Sequence, residues 1–219
     1  MEKIKAYFYE KTGMYIDWDQ LENIPEVDTL IDIGVGRNGT EILYKRFNSS
    51  KLILIDPLIE AKNYANQNLK HRDYKFFQYA VGEENCKSKI NVEKNIGRSS
   101  LLNVTEINYE GKPIEERVIE IKTVDTILND SLRELGSIGI KIDTEGYELN
   151  VAKGAIKTLK KTKFLIAEVR HNYQSFEGQY KLHQFIDFMN ENDFLLSRIL
   201  TAKPLIADLC FQPKKDLIK

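Results

Sequence analysis

The sequence predicts an α/β fold in which a doubly wound, mostly parallel sheet ends in an antiparallel hairpin. Three observations lead there. Short apolar runs such as Leu52-Ile53-Leu54-Ile55 alternate with segments whose apolar residues recur every three or four positions, the pattern of buried parallel strands joined by helices. The first such run passes directly into a turn with three glycines, Gly34, Gly36 and Gly39. The last two runs are separated by too short a Pro-containing connection for a crossover helix, so they pair antiparallel.

Taken in order, Ile4, Tyr7 and Phe8 share a helical face, and Trp18 and Leu21 continue a helical lead-in over residues 1–28. Residues 29–34 form the first buried strand, and a helix follows to about Phe47. A second strand spans 51–56, a helix runs from about 59 to 69, and a third strand over 74–81 ends in Ala80-Val81-Gly82. Residues 83–124 read as an insertion with extra strands at 87–93 and 117–124. Between them lies a polar stretch, 95–116, punctuated by Gly97, Gly111 and Pro113, which reads as a lid. A fourth strand at 138–143 precedes a helix that aligns Leu149, Ala152, Ile156 and Leu159 on one face. Residues 164–169 make the fifth strand, Leu182, Phe185, Ile186 and Met189 mark the last long helix, and 194–200 with 206–212 form the hairpin.

The 219 residues, 42% of them apolar, suit a single domain spanning 1–219 with a core that needs no disulfide or metal. Lys and Arg total 32 against 33 Asp and Glu, so a net charge of -1 provides no global attraction for nucleic acid or an anionic membrane. Cys86 and Cys210 match no metal spacing and read as two separate reduced thiols in the cytoplasm. No apolar run reaches the roughly 20 residues of a membrane-spanning helix, and Glu2 and Lys5 interrupt any signal-peptide core.

Gly34, Gly36 and Gly39 allow a tight turn and close approach of backbone to a ligand. Asp56 ends the second strand about 20 residues later, where a carboxylate accepts hydrogen bonds from ribose hydroxyls. Asp32, two residues before Gly34, favours S-adenosylmethionine over a dinucleotide, because a carboxylate attracts the methionine ammonium and repels a pyrophosphate. The alternative is that Asp32 only braces the turn. A nicotinamide-dependent oxidoreductase and a non-catalytic S-adenosylmethionine-binding partner protein are the competing readings of the same residues.

The fourth strand ends in Asp143-Thr144-Glu145 and the fifth in Glu168-Val169-Arg170-His171. Ligands of doubly wound sheets bind beyond the carboxyl ends of the strands, so Asp143, Glu145, Glu168 and His171 are candidates to converge on one substrate. Helix capping is the competing explanation for Asp143 and Glu145, and an exposed histidine for His171.

From Leu30 to Pro213 these residues resemble the FkbM-type family of S-adenosylmethionine-dependent O-methyltransferases. The resemblance rests on Asp32-Ile33-Gly34 with Gly39, on Asp56-Pro57, on Ser99-Ser100-Leu101 and on Val124-Asp125. It rests most of all on Lys141-Ile142-Asp143-Thr144-Glu145-Gly146-Tyr147-Glu148 with Lys153-Gly154-Ala155, and on Glu168. Gly39 comes one residue later than the family usually has it, and Asp56 stands where glutamate is more common.

The resemblance implies a class I, Rossmann-like methyltransferase fold and methylation of a hydroxyl on a sugar, glycan or other small natural product. On this reading Asp32, Gly34, Gly36 and Gly39 hold the methionine end, Asp56 the ribose, the turn after Val81 covers the adenine and Ser100 closes from the insertion. His171 is the expected base, with Asp143, Glu145 and Glu168 orienting the hydroxyl or a divalent metal cation, and a carboxylate pair without metal is the alternative.

Overall fold

The computed structural model describes residues 15–105, 113–171 and 175–218. The helical face expected at Ile4, Tyr7 and Phe8 lies outside the described residues, as does Gly111 of the expected lid. The strands and helices, in chain order, are β1 (Tyr15–Ile16), β2 (Thr29–Ile33), α1 (Glu41–Arg46), β3 (Lys51–Ile55), α2 (Ile59–Asn68), β4 (Tyr74–Phe77), β5 (Ala80–Val81) and β6 (Cys86–Glu93). They continue with β7 (Pro113–Lys122), α3 (Val124–Leu128), β8 (Ile138–Ile142), α4 (Glu148–Lys153), α5 (Ile156–Leu159), β9 (Thr162–Arg170), α6 (Leu182–Glu191), β10 (Phe194–Ala202), β11 (Ile206–Pro213) and α7 (Lys214–Leu217).

The large sheet runs β1-β10-β11-β9-β8-β2-β3-β4. Strands β4, β3, β2, β8 and β9 are mutually parallel, and β11 pairs antiparallel with both β9 and β10. The hairpin partners therefore add to the β9 edge with the later strand inside. The chain winds from β2 towards β4 on one side and from β8 towards β9 on the other, which makes the β2–β8 seam the topological switch point.

Strands β2 and β8 are buried throughout, as expected for parallel strands covered on both faces. Pleating sends alternate residues to opposite cores. Ile31, Ile33, Ile140 and Ile142 meet Val151 of α4 and Phe185 and Met189 of α6, whereas Leu30, Leu52 and Leu54 meet Leu43 of α1, Phe47 at its end, and Ala61 and Ala65 of α2. No helix among the described residues is long and apolar enough to cross a membrane.

Three local expectations are corrected. The run 74–81 breaks in two, because Ala80 and Val81 leave β3 and pair with Ile121 and Lys122 of β7 in a separate sheet ordered β5-β7-β6. Of the N-terminal lead-in, Tyr15 and Ile16 are a strand paired with Thr201 and Ala202, and the helical part is a 3-10 turn at Trp18–Asn23. The helix expected through Leu149 and Leu159 is two short ones interrupted at Gly154 and Ala155, in which Leu149, Ala152 and Leu159 face the core while Ile156 is exposed.

Gly154 packs tightly against the backbone that flanks the smaller sheet. A Cβ there would lie 2.0 Å from the Gly82 carbonyl oxygen and 3.3 Å from Thr123 Cα, so backbone would have to shift. Gly154→Ala is expected to destabilise the fold by about 1–3 kcal/mol through overpacking, read as a lower melting temperature. An unchanged melting temperature would show that this approach is dispensable.

Candidate functional site

A cleft opens at the carboxyl ends of β2, β3 and β8, lined by residues 33–40, 55–58, 79–81 and 143–145 and, from the inserted segment, by Ile90, Asn95, Ile96, Gly97, Ser99 and Leu101. Gly34 makes this meeting possible. Its φ of +88° is unfavourable for any side chain, and a Cβ would fall 1.7 Å from the Asp143 carbonyl oxygen. Three strand ends are stitched there: Gly34 N donates to the Ile55 carbonyl of β3 at 3.0 Å, and Asp143 N, after β8, to that of Ile33 in β2 at 2.9 Å.

Asp56 connects the glycine loop to the second strand end. Its Oδ2 accepts from Gly36 N at 2.9 Å and its Oδ1 from Leu58 N at 2.8 Å. Burial pushes its carboxyl up to about 6 while these two N–H donors pull it back, and it still borders the cleft. The apolar wall comes from Leu58, Val81, Ile90, Ile96 and Leu101. Gly34, Gly36, Gly39, Asp56 and Val81 are thus brought together as the sequence suggests.

Asp32 and Ser100 sit behind the cleft rather than in its wall. Asp32 is fully buried on the α1 face; its Oδ2 accepts from Tyr44 Oη and, at 3.3 Å, from Thr40 N, an arrangement that braces the loop. Burial raises its carboxyl to about 6, opposed by Tyr44 and Lys141, and its Oδ1 is buried without a hydrogen-bond partner. Ser100 is flanked by the cleft-lining Ser99 and Leu101, and its own hydroxyl donates to the Glu145 carbonyl at 2.7 Å. Ser100 also exchanges backbone hydrogen bonds with Asn91, and Thr105 N donates to Ser175 O at 3.0 Å, so the described part of the expected lid is anchored at both ends.

Beside the cleft, carboxylate oxygens of Asp143, Glu145 and Glu168 lie within 4.8 Å of one another. Strand parity assembles their surroundings. Asp32 pairs with Lys141 across β2 and β8, and Asp208 pairs with both Glu168 and Thr201, giving a polar row on one face of the sheet. Glu145 has φ +51°, a left-handed conformation uncommon outside glycine, and its carboxylate is ion-paired with the Arg170 guanidinium. Glu148 holds the turn: Oε1 accepts from Thr144 N at 3.0 Å, Gly146 N at 3.0 Å and Thr144 Oγ1 at 3.2 Å, and Oε2 accepts from Tyr180 Oη at 2.8 Å.

Crowding of acids in a desolvated site shifts their titration upward. Burial, then the charge of Asp143, carries Glu168 to about 8 against the pull of Lys141, and Glu145 to about 7 against that of Arg170. Burial likewise raises Asp143. Lys141 keeps its proton: burial favours the neutral amine, but Asp208, Asp143, Glu168 and Asp32 together hold its pKa above the usual lysine value.

His171 is placed differently from the three acids. Its backbone N–H donates to the Leu205 carbonyl at 3.1 Å, and its ring Nε2 lies 3.0 Å from the Lys203 carbonyl, which can only accept, so Nε2 carries the proton. The histidine is tied to the β10–β11 turn and is not in the carboxylate group that converges.

The donor chemistry fits S-adenosylmethionine and does not fit a divalent metal. For the cofactor there is a backbone cradle at Gly34, a carboxylate at Asp56 and an apolar wall. A cation among Asp143, Glu145 and Glu168 would share Glu145 with Arg170 and approach the Lys141 ammonium, which stands 3.9 Å from Asp143 Oδ2. Fixed positive charge already occupies that role.

The sequence gives no individual role to Tyr44, Glu148, Lys141 or Asp208, although Glu148 and Lys141 lie within the motif that carries the family resemblance. Lys141 and Asp208 carry a readable signal, a charged residue inside an otherwise apolar strand, Ile-Gly-Ile-Lys-Ile and Ile-Ala-Asp-Leu-Cys-Phe. Tyr44 looks like ordinary core, and Glu148 like any acid in a first helical turn.

Comparison with known proteins supplies the family. No curated protein gives a significant sequence match. Among solved structures, the methyltransferase FkbM of Methylobacillus flagellatus superposes with a TM-score of 0.55 at 16% identity, covering 94% of this chain and 50% of that one. An S-adenosylmethionine-dependent methyltransferase of Aquifex aeolicus gives 0.48 at 13% identity, covering 97% and 96%. At 16% identity the likeness to the Methylobacillus protein is one of fold, and the chain spans half the length of that protein. The sequence model of the methyltransferase FkbM domain matches residues 32–196, which include the glycine loop and Asp56, Asp143, Glu145 and Glu168. By that match the chain belongs to the FkbM family of methyltransferases.

Proposed function

We propose that the protein transfers a methyl group from S-adenosylmethionine to a hydroxyl oxygen of a sugar, glycan or other small natural product. The observation that carries the reading is that Asp143 and Glu145 belong both to the glycine-loop cleft and to the carboxylate cluster, so cofactor and acid–base groups share one site. The cofactor supplies an activated methyl group on a sulfonium when bound. Gly34, Gly36 and Gly39 admit its methionine end, Asp56 accepts from the ribose, and Val81, Leu58 and Ile96 flank the adenine.

The chain's own contribution is alignment of the acceptor and removal of its proton. An alcohol needs a base whose affinity for protons approaches neutrality. Glu168, raised to about 8, meets that need, and it stands within reach of the cleft through Asp143 and Glu145. Asp143 and Glu145 orient the hydroxyl. His171 is assigned to anchoring the β10–β11 turn and not to the base, because it lies outside both the cleft lining and the carboxylate group. No metal enters the proposal, because the donor set is held by Arg170 and Lys141.

The proposal takes 1–219 as one methyltransferase domain with 83–124 inserted, acting on a small-molecule or glycan acceptor with no nucleic-acid partner. An exposed Cys86 and a buried Cys210, both free, suit the reducing cytoplasm.

Three measurements test it. Calorimetry is expected to show S-adenosylhomocysteine binding more tightly than NAD, with Asp56→Ala weakening it by about 1–3 kcal/mol. Heat of binding for NAD alone would sink the cofactor assignment. With an acceptor found by screening methyl-labelled cofactor against glycans and small alcohols, turnover is expected to rise as pH passes through about 8 and Glu168 ionises. Glu168→Gln should cost at least about a hundredfold in turnover, whereas His171→Ala should change it little. Because a raised carboxyl contributes stability present below the unfolded value and lost as pH rises through the folded one, Glu168→Gln should melt no lower than the parent at pH 9. A glutamine variant with full turnover would remove Glu168 from the chemistry, and absence of transfer to every acceptor would favour a non-catalytic binding protein.

A further inference from the structure

Lys141 is a deeply buried cation beside the acids and has no part in the proposed chemistry as it stands. Its side chain is 3% exposed, and its ammonium donates to Asp208 Oδ1 at 3.1 Å and to the Ile142 carbonyl at 3.3 Å. Asp208 is itself fixed by Thr201, whose hydroxyl donates to Oδ2 at 2.6 Å and accepts from Asp208 N at 3.2 Å. A buried ion pair is a poor device for stability alone, since apolar residues of similar size serve as well or better. What an apolar pair would lack is a fixed positive charge 3.9 Å from Asp143 Oδ2.

The surroundings of the acids are mostly negative. Asp143 and Glu168 are faced by Asp32 from β2, by Glu145 and Glu148 from the turn and start of α4, and by Asp208 from β11. The positive charges are Lys141 from β8, Arg170 from β9 and Lys203 from the β10–β11 turn. Arg170 is engaged with Glu145. Lys141 is the cation that both Asp143 and Glu168 feel most strongly.

We propose that Lys141, anchored by Asp208, is a positioning residue that sets the pH at which the Asp143–Glu168 pair gives up its last proton, and with it the pH at which the acceptor can be deprotonated. The second half rests on the base assignment under Proposed function; the first does not. In such a coupled pair the measurable quantity is the midpoint of the last step, which belongs to the pair.

The test is a carbon-13 NMR titration of protein labelled at the Asp and Glu side-chain carboxyls, without cofactor or acceptor, with signals assigned by their loss in Glu168→Gln and Asp143→Asn. Lys141→Met removes the cation and should raise the last midpoint by about one pH unit or more. Asp208→Asn removes the anion that competes for Lys141 and should lower it. The double variant Lys141→Met/Asp208→Asn strands no buried charge, so it keeps the inference testable if Lys141→Met alone does not fold; its midpoint should lie above that of the parent. An unmoved midpoint in the double variant, or an upward shift in Asp208→Asn, overturns the proposal. If the NMR midpoints shift as stated while the pH limb of turnover stays fixed, the assignment of Glu168 as base fails and the role of Lys141 in setting the titration stands.

Discussion

The site depends on one close approach of backbone to backbone. Where β2 and β8 part at the switch point, the Gly34 turn passes so near the Asp143 carbonyl that a single added carbon would overlap it. That contact puts the glycine loop and the Asp143–Glu145 turn on opposite sides of one cleft. The side chains at each strand end then follow from pleating. Ile33 and Ile142 go to the α4–α6 core, while Asp32 and Lys141 go to the opposite face, where the cross-strand register makes them neighbours.

The second constraint is electrostatic. Four carboxylates, Asp143, Glu145, Glu168 and Asp208, are gathered around two ion-paired cations, Lys141 and Arg170. An isolated buried carboxylate would be neutral, and a fully compensated one would be an ordinary weak base. Partial compensation leaves Glu168 and Glu145 titrating near neutral pH, which suits groups that exchange protons. The left-handed Glu145 is tolerated because Arg170 holds its carboxylate, Ser100 its carbonyl, and Glu148 the following N–H.

Much of the fold could be read from the sequence because buried parallel strands are nearly uninterrupted apolar runs, and the runs at Leu30, Leu52, Ile138 and Phe164 all became strands of one sheet. Ala80 and Val81 went to a different sheet because a short apolar run carries no mark of its partner. The cleft was legible through residues whose role is local, such as Gly34, Gly36 and Asp56, whose spacing along the chain sets their geometry. Asp32 was harder: the partner that turns it into a brace, Tyr44, looks like any core aromatic. The contacts of Ser100 and His171 were hidden for the same reason, since those with Glu145 and Lys203 come from the other end of a long chain excursion. Lys141 and Asp208 were visible as charges in apolar strands, but nothing local says that they meet.

The central claim, that cofactor cleft and acid cluster are one site, has a direct measurement that requires no acceptor. S-adenosylmethionine and S-adenosylhomocysteine differ by a methyl group and one positive charge, and other titrating contacts act on both alike. Their dissociation constants should be determined by calorimetry across pH 6 to 9. If the sulfonium faces the cluster, the preference for S-adenosylmethionine grows as Glu145 and Glu168 ionise near 7 and 8, and the growth is largely lost in Glu168→Gln. A ratio of affinities that stays constant over that range would contradict the account, because the charge of the cofactor would then not sense the acids placed beside it.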